Sequence, residues 1–327
     1  MLRIGVIGLG AMGKNHARVC SELNDIELVG VADVDKQATK TVSERFDTKA
    51  FTDYKLLISQ VDAAIIATPT NTHHQIAMEL LNHGKHVLVE KPICDDVHKA
   101  EELVHTAEQS GVVLAVGHIE RHNPVVKFVK EGIEKKQYGD LISLTSKRVS
   151  NFPGRIKDVG VIFDFGVHDI DVMRYLAGEV ISVYARAGTF TKNIKNDDHA
   201  TIVLNFEKGI CGTIDVNWLT PMKIRKLFLT CSNSFVEADY IDQSATISSS
   251  SYNQVNNMNL YQTPIQYNIN HVALEKKEPL RNEILDFIHA VSQHKCPLVS
   301  GHDGVMALKI AEAATQSYKK GQEIKIK

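Results

Sequence analysis

The stretch RIGVIGLGAMGKNHARV, residues 3–19, joins an apolar run to a helical pattern through three closely spaced glycines. The spacing is G-x-G-x-x-G, and Asp33 ends the next apolar run about 20 residues later. In such a unit the first glycine allows a tight turn, the second lets the backbone approach a pyrophosphate, and the third lets helix and strand pack closely. This pattern predicts a dinucleotide site whose phosphates bind at the start of the helix. The predicted phosphate-binding residues are Gly8, Gly10, Ala11, Met12 and Gly13.

Asp33 predicts which dinucleotide binds. Its carboxylate can accept hydrogen bonds from the adenine ribose hydroxyls, and it would repel a 2′-phosphate in the same place. Asp35 adds to that repulsion, although the charge of Lys36 offsets it in part. The sequence therefore predicts NAD as the cofactor and leaves NADP possible.

Composition excludes several classes of protein. The chain has 327 residues, with 37 Lys and Arg against 39 Asp and Glu, so no broad field attracts nucleic acid or a membrane surface. The partner we expect is a small molecule. The cysteines and histidines have no metal-ligand spacing, so no metal site is predicted. No apolar run approaches the roughly 18 to 20 residues of a membrane helix, and we expect a soluble, cytoplasmic protein.

The order of the apolar runs predicts the fold. Up to about residue 118, short β-branched runs alternate with amphipathic stretches, which is typical of a parallel sheet covered on both faces and of a doubly wound Rossmann fold. After about residue 123 the runs are longer and alternate, which favours a mostly antiparallel sheet. We predict an α/β chain with a Rossmann domain at residues 1–120 and a second, α+β domain at residues 121–327.

Five further elements follow from local patterns in the second half. Residues 160–176 are predicted to form a helix that ends near Gly178. Residues 244–259 are rich in Ser and Asn and predict a polar loop or a ragged hairpin. Residues 281–294 and 303–319 have helical periodicity, and the closing IKIK predicts an edge strand.

Three short stretches carry polar residues in positions suited to a site. ATPTNTHHQ (67–75) and VEKPI (89–93) each follow an apolar strand, so both lie at the carboxyl edge of the sheet, where such folds bind ligands. In GVIFDFGVHDID (160–171), Asp164 and His168 are four residues apart and share one helix face. The spacing alone leaves open whether that face meets solvent, core or substrate.

Together with the glycine fingerprint, these stretches resemble the glucose-fructose oxidoreductase, inositol dehydrogenase and MocA (Gfo/Idh/MocA) family. The resemblance covers essentially the whole chain, and Glu90-Lys91-Pro92 followed by a later D-x-x-x-H is its most specific element. It implies NAD-linked oxidation of a sugar or polyol in a cleft, a second domain with an open, largely antiparallel sheet, and a homodimer or homotetramer built through that sheet. Many members have two or three glycines before the helix, whereas only Gly160 stands here, so we expect the entering loop to take a different path.

The resemblance also assigns residues. Lys91 matches the family's catalytic lysine, His168 matches the histidine beside the reacting hydroxyl, and Asp164 matches the acid one turn before it. Residues that match the loops around the cofactor's ribose and nicotinamide are Thr68, Pro69, Asn71, His73 and Glu90. Within the family, GHIERHNP, the stretch from residue 148 to residue 179 and DVNWLTPMKIR look most like UDP-N-acetylglucosamine 3-dehydrogenases. That similarity implies a sugar-nucleotide substrate oxidised at C3.

Alcohol oxidation explains why such residues are needed. It requires a hydride acceptor, a base for the hydroxyl proton and a positive group near the developing alkoxide. A histidine side chain accepts protons near neutrality, so His168 is the predicted base, Lys91 the positive group and Asp164 the orienting acid. The roles of Lys91 and His168 remain exchangeable, because a desolvated lysine can also act as a base.

A sugar-nucleotide diphosphate needs cations, and three precede the predicted helix: Arg148, Arg155 and Lys157. Arg155 is the strongest candidate because it is nearest the helix among the arginines, although a solvated basic strand remains the alternative. Arg121 and Asn123, at the predicted domain junction, either reach the sugar or only brace the cleft. Trp218 either stacks on sugar or uracil or belongs to the core.

Two other functions remain open. An inositol or free-sugar dehydrogenase would use the same catalytic residues without a diphosphate site. A cofactor-binding sensor would retain the fold without the chemistry, and the presence of Lys91, Asp164 and His168 argues against it.

Overall fold

Elements of the first part of the chain alternate strand and helix. The computed structural model describes residues 1–152, 159–192, 194–252 and 265–326. The elements up to residue 122 are β1 (Leu2–Ile7), α1 (Ala11–Ser21), β2 (Ile26–Ala32), α2 (Lys36–Phe46), β3 (Lys49–Phe51), α3 (Lys55–Ile58), β4 (Ala63–Ile66), α4 (Thr70–Asn82), β5 (His86–Glu90), α5 (Val97–Ser110), β6 (Leu114–Gly117) and a 3-10 turn (Ile119–His122).

Strands dominate the second part. Its elements are α6 (Pro124–Glu134), β7 (Leu141–Asn151), a π-helical turn (Ile162–Gly166), α7 (Val167–Ala177), β8 (Val180–Gly188), β9 (His199–Phe206), β10 (Cys211–Asn217), β11 (Leu219–Cys231), β12 (Phe235–Asp239), β13 (Ser244–Tyr252), β14 (Ile265–Ala273), α8 (Pro279–Gln293), α9 (Gly301–Lys320) and β15 (Ile324–Lys325). No helix among the described residues is both long enough and apolar enough to span a bilayer.

The first sheet is a Rossmann sheet. Its six strands run in the order β3-β2-β1-β4-β5-β6, and every neighbouring pair is parallel. All four residues of β4 and β6 are buried, because helices cover the sheet. The strand order reverses between β1 and β4, and ligands bind at the carboxyl edge of this point in doubly wound folds. The predicted parallel sheet is confirmed.

The second sheet has nine strands in the order β14-β13-β12-β11-β7-β10-β9-β8-β15. Every neighbouring pair is antiparallel except β7 and β10, which are parallel. Inward residues alternate with more exposed ones along β9 and β10, as expected for a sheet with one covered face. The α/β class with a second, largely antiparallel α+β part is confirmed, and β15 is the predicted edge strand.

The chain forms two compact units that differ from the predicted division in one segment. One unit comprises Met1–His122 with Glu278–Lys309, and the other comprises Asn123–Lys277 with Ile310–Lys327. The helix α8 returns to the first unit because its apolar face packs in the Rossmann core. The core residues of α8 are Leu280, Ile284, Phe287 and Val291. Helical periodicity predicted α8, but it does not say which sheet the helix covers.

The polar segment of residues 244–259 is partly a regular strand. β13 pairs with β14 without a register shift from Ser244, opposite Ala273, to Tyr252, opposite Ile265. The predicted hairpin is therefore correct for residues 244–252 and the loop alternative is wrong there, because cross-strand backbone hydrogen bonds form regardless of side-chain polarity. Residues 253–259 of that prediction lie outside the described residues.

Candidate active site

The glycine turn has the geometry that its spacing predicts. Gly8 has a φ of +89°, and a Cβ there would lie 2.6 Å from the backbone of Ala67. A Cβ at Gly13 would lie 1.8 Å from the carbonyl oxygen of Gly8, so only glycine lets α1 approach the turn. These two glycines are required by the chain's own packing.

Gly10 is different, because the chain itself does not require it. It is the N-cap of α1, and a Cβ there would have no described heavy atom within 4 Å. A glycine at such a position is explained by a group from outside the chain that approaches the backbone closely. The first N–H groups of a helix have no intrahelical acceptor, so the start of α1, at Ala11, Met12 and Gly13, suits a pyrophosphate.

Asp33 is fixed by the same turn. Its Oδ2 accepts a hydrogen bond from the Leu9 N–H at 2.6 Å, and its Oδ1 accepts one from the Asp35 N–H at 2.9 Å. The side chain of Asp35 caps α2 by accepting from Gln37 N at 2.8 Å. The carboxylate of Asp33 therefore stands beside the glycine turn, whereas that of Asp35 is committed to the helix.

A cavity of about 670 Å³ lies along this edge. Its lining includes five predicted cofactor residues, Gly8, Gly10, Asp33, Thr68 and Pro69. Sequence reasoning did not identify four other lining residues, Val34, Thr52, Tyr54 and Gln75. The sequence contained one signal for Val34, since it places an apolar residue between two acids. In the structure that side chain is 91% exposed. The residues present fit a bound dinucleotide.

Lys91 directly follows β5 at the same edge of the sheet. Its N–H donates to Oε2 of Glu90 at 3.2 Å, and Oε1 of Glu90 lies 2.8 Å from Nε2 of the buried His16 on α1. Burial opposes ionisation of Glu90, but the hydrogen bond from His16 and the charges of His16 and Lys91 hold the pKa of Glu90 below its ordinary value. We infer that Glu90 positions the bend at residues 91–93, which we call the Lys91 turn. Direct contact of Glu90 with the cofactor stays a prediction.

A second buried acid, Glu283 on α8, belongs to this region and was not foreseen. It is 2% exposed, and neither carboxylate oxygen has a hydrogen-bond partner among the described residues. Burial, and next the negative charge of Glu90, raise the pKa of Glu283 well above its ordinary value. Glu90 and Glu283 therefore have pKa values shifted in opposite directions, as in pairs that carry one charge between them.

This arrangement predicts a pH-dependent stability. A raised folded pKa means that the folded chain binds the Glu283 proton more tightly, so stability falls as pH rises above the ordinary glutamate pKa of about 4.3 towards the folded value. Glu283→Gln removes this loss. We expect the unfolding free energy of the variant to rise relative to that of the parent from about pH 5 to about pH 8, measured by urea denaturation.

Glu207→Gln is the control. Because Glu207 is exposed, the difference in unfolding free energy between this variant and the parent should stay constant over the same pH range. If the difference in unfolding free energy between Glu283→Gln and the parent is equally constant, or falls as pH rises, Glu283 is ionised in the folded protein.

Asp164 and His168 lie in the second unit on a helix that begins irregularly. The predicted single helix starts instead with the π-helical turn, which contains Asp164, and continues as α7, which contains His168. Both residues are half-buried. Single π turns within helices are frequent at functional sites, where they redirect side chains.

Asp197 explains how this helix starts, and sequence reasoning missed it. Its Oδ2 accepts from the Ile162 N–H at 3.0 Å and its carbonyl oxygen from the Val161 N–H at 2.9 Å. A Cβ at Gly160 would lie 2.1 Å from Oδ1 of Asp197, so the single glycine before the helix is required by this contact. Burial raises the pKa of Asp197, although its hydrogen bonds oppose the shift.

Arg148 does not offer a cation to a substrate. Its guanidinium lies 2.8 Å from Oδ2 of Asp169 on α7, and each side chain is 1% exposed. It also lies 5.3 Å from the centre of the Tyr240 ring. The interpretation of Arg148 as a diphosphate ligand is wrong, because its charge is buried in an ion pair that joins β7 to α7. Arg155, Lys157 and Asp158 lie outside the described residues.

Comparisons with known proteins agree with this geometry. Residues 2–118 match the model of an oxidoreductase family with an NAD-binding Rossmann fold, and residues 126–236 match the GFO/IDH/MocA C-terminal domain. The chain belongs to the Gfo/Idh/MocA family. It is therefore an enzyme, an NAD(P)-dependent dehydrogenase, and its first domain is an NAD-binding Rossmann fold.

Several characterised relatives have different substrates. The chain is 28% identical over 317 residues to UDP-N-acetylglucosamine 3-dehydrogenase of Acidithiobacillus ferrooxidans, covering 96% of each chain. The solved structure of that protein superposes with a TM-score of 0.87, at 26% identity and 98% coverage of each chain. Myo-inositol 2-dehydrogenase of Thermotoga maritima is 26% identical over 338 residues, covering 99% of this chain and 98% of the relative. Both alignments span nearly the whole of this chain and of the relative.

The other described residues predicted to bind substrate form contacts within their own units. Arg121 donates to Oδ1 of Asp303 at 3.0 Å, and Asn123 caps α6 while donating to the carbonyl oxygen of Tyr240 at 3.0 Å. Trp218 is 2% exposed, with its ring edge-to-face against Phe152 at 5.5 Å. The burial of Trp218 favours its core alternative, and the contacts of Arg121 and Asn123 lie within their own units. Substrate contact by any of the three residues stays a prediction.

Two cofactor candidates differ in their surroundings. Asn71 lies in the first turn of α4, next to the cavity residues Pro69 and Thr72. His73, on the same helix, is buried, and its ring nitrogens lie 3.0 Å from the Pro92 carbonyl oxygen and 2.9 Å from that of Thr68. The described residues contain no group of three or more His, Cys, Asp or Glu suited to a metal ion.

Proposed function

We propose that this dehydrogenase oxidises a sugar hydroxyl to a ketone. The observation that carries the proposal is the position of Lys91 at the carboxyl edge of β5, with its backbone anchored to the His16-bonded carboxylate of Glu90. The turn before α4 at the same edge, Thr68 and Pro69, lines the cofactor cavity. A lysine at this edge supplies the positive charge that a developing alkoxide requires.

The proposed chemistry divides a hydride and a proton between two acceptors. When bound, NAD accepts the hydride from the carbinol carbon. His168 takes the hydroxyl proton, Lys91 donates a hydrogen bond to the same oxygen, and Asp164 orients His168. The carbon–hydrogen and oxygen–hydrogen bonds break, a carbonyl forms, and the proton passes from His168 to solvent.

The substrate we propose is UDP-N-acetylglucosamine, oxidised at C3 to the UDP-3-keto sugar. Similarity over 96% of the chain to a UDP-N-acetylglucosamine 3-dehydrogenase supports it. The second candidate is an inositol or a free sugar, supported by similarity over 99% of the chain to a myo-inositol 2-dehydrogenase. Since Arg148 is paired with Asp169, the proposed diphosphate contact rests on Arg155 first and then on Lys157.

A substrate panel separates these candidates. Initial rates of NADH formation are measured with UDP-N-acetylglucosamine, UDP-glucose, myo-inositol and glucose, each with NAD and with NADP. Turnover of UDP-N-acetylglucosamine that UDP inhibits competitively supports the first candidate, and turnover of inositol without inhibition by UDP supports the second. NAD binding without turnover on any of the four compounds would contradict both candidates.

Asp33 is expected to set the cofactor preference. Asp33→Ser should raise the KM for NAD about tenfold and lower the preference for NAD over NADP by at least about tenfold, because a charged acceptor for the ribose is lost and a 2′-phosphate is no longer repelled. Asp35→Ser is the matched control, since serine also caps a helix and should leave the preference nearly unchanged. Equal changes in the two variants would contradict the assignment to Asp33.

Two expectations remain proposals. The homodimer or homotetramer follows from the family resemblance, and the cytoplasmic location from the lack of a membrane-length apolar run in the sequence. Sedimentation equilibrium over a range of protein concentrations tests the assembly, and a monomer at all concentrations would contradict it.

A further inference from the structure

His73 joins two turns that carry different parts of the proposed site. Its Nδ1 lies 3.0 Å from the carbonyl oxygen of Pro92, which follows Lys91 directly. Its Nε2 lies 2.9 Å from the carbonyl oxygen of Thr68, whose residue lines the cofactor cavity. The ring is 1% exposed, so water does not compete for either carbonyl.

Both ring nitrogens of His73 face carbonyl oxygens, so the ring is placed to donate hydrogen bonds. A carbonyl oxygen only accepts, so each contact is a hydrogen bond when that nitrogen carries a proton. Burial lowers the pKa of His73, while the carbonyls of Thr68 and Pro92 and the charge of Glu90 oppose the shift. A neutral ring donates to one carbonyl at a time, so each of its two tautomers ties one of the two turns.

The Thr68 turn is ordered by further contacts. Oγ1 of Thr72 lies 2.7 Å from Oγ1 of Thr68 and 2.7 Å from the carbonyl oxygen of Pro69. The Lys91 turn has the Glu90 contact on its other side. Of the described contacts between side chains and these turns, those of His73 are the ones that reach both.

We propose that His73 is a positioning residue that holds the Lys91 turn and the Thr68 turn in register, through Nδ1 on the Pro92 carbonyl and Nε2 on the Thr68 carbonyl. The effect of His73 on turnover rests on the proposed function. Its effect on cofactor binding rests only on the cavity that Thr68 lines.

Two substitutions separate the two contacts. The side-chain amide nitrogen of asparagine falls near the place of Nδ1 and that of glutamine near the place of Nε2, so each variant retains one donor. We expect His73→Asn to keep kcat within about threefold and to weaken NAD binding about tenfold, because the Thr68 carbonyl loses its donor. His73→Gln should keep NAD binding within about threefold and lower kcat about tenfold or more, because Lys91 is displaced. His73→Ala should show both losses.

His74→Ala is the matched control. The neighbouring His74 lies on the surface with Nε2 at 3.0 Å from Oε2 of Glu102 on α5, so both quantities should stay within about twofold of the parent. Thermal unfolding verifies that the asparagine and glutamine variants are folded. NAD binding is measured by fluorescence titration without substrate, and kcat with the best substrate of the panel.

Identical losses in the Asn, Gln and Ala variants would overturn the proposal, because they indicate packing alone. Values within twofold of the parent in all three variants would overturn it as well. If the parent turns over none of the sugars, the proposed function fails by itself. In that case NAD titration still decides the Thr68 contact: tighter binding by the Gln than by the Asn variant supports it, and equal binding overturns it.

Discussion

Lys91→Met is expected to lower kcat by about 10³-fold while NAD affinity stays within about threefold. Methionine fills a similar volume without the charge that stabilises the alkoxide. The cavity lining does not include Lys91, so cofactor binding should persist. Steady-state rates with the best substrate and a fluorescence titration of NAD measure the two quantities.

Lys85→Met, just before the other end of β5, is the matched control and should keep kcat within about twofold. His168→Ala separates the two catalytic roles. If His168 is the base, its alanine variant loses the rise of kcat with pH through the histidine range, whereas the residual rate of Lys91→Met retains it. Near-normal turnover of Lys91→Met would remove the lysine from the mechanism.

Arg148→Met is expected to cost about 3 to 5 kcal/mol of unfolding free energy, because it leaves Asp169 buried without the partner of its 2.8 Å ion pair. The pair joins β7 to α7, the helix that carries His168, so this loss would also disturb the proposed base. Urea denaturation measures the stability. Adding Asp169→Leu should recover part of it, because an apolar pair avoids the buried charge.

Lys147→Met provides the control from the adjacent residue. Lys147 pairs with Asp215 at 3.5 Å, but both side chains are more than 40% exposed, so the expected change is within about 0.5 kcal/mol. Comparable losses for Arg148→Met and Lys147→Met would show that burial of the Arg148 pair does not govern its contribution.

The parts of the fold that sequence predicts are those determined by neighbouring residues. Gly8 and Gly13 are required within one turn, and the structure has both close approaches that their spacing implies. The place of α8 could not be predicted, because Leu280, Ile284 and Phe287 give an apolar face that suits either sheet. The π-helical turn at Ile162–Gly166 depends in part on Asp197, which lies more than 30 residues away.

The candidate site shows the same limit. The motif and the place after a strand predict Lys91 as a catalytic residue, and the structure has it directly after β5. Arg148 was one of three cation candidates because a buried arginine and a ligand-binding one look alike in sequence, and Asp169 marks the difference only in three dimensions. Glu283 left no local signal, since a single glutamate in a helix is usually exposed.

The most direct test of the central claim follows the hydride itself. UDP-N-acetylglucosamine with deuterium at C3 is incubated with the protein and NAD, and both products are analysed by mass spectrometry. We expect reduced cofactor carrying the deuterium together with a UDP-3-keto sugar. Unlabelled reduced cofactor from this substrate, or no reduced cofactor while myo-inositol gives it, would contradict oxidation at C3 of a UDP-sugar.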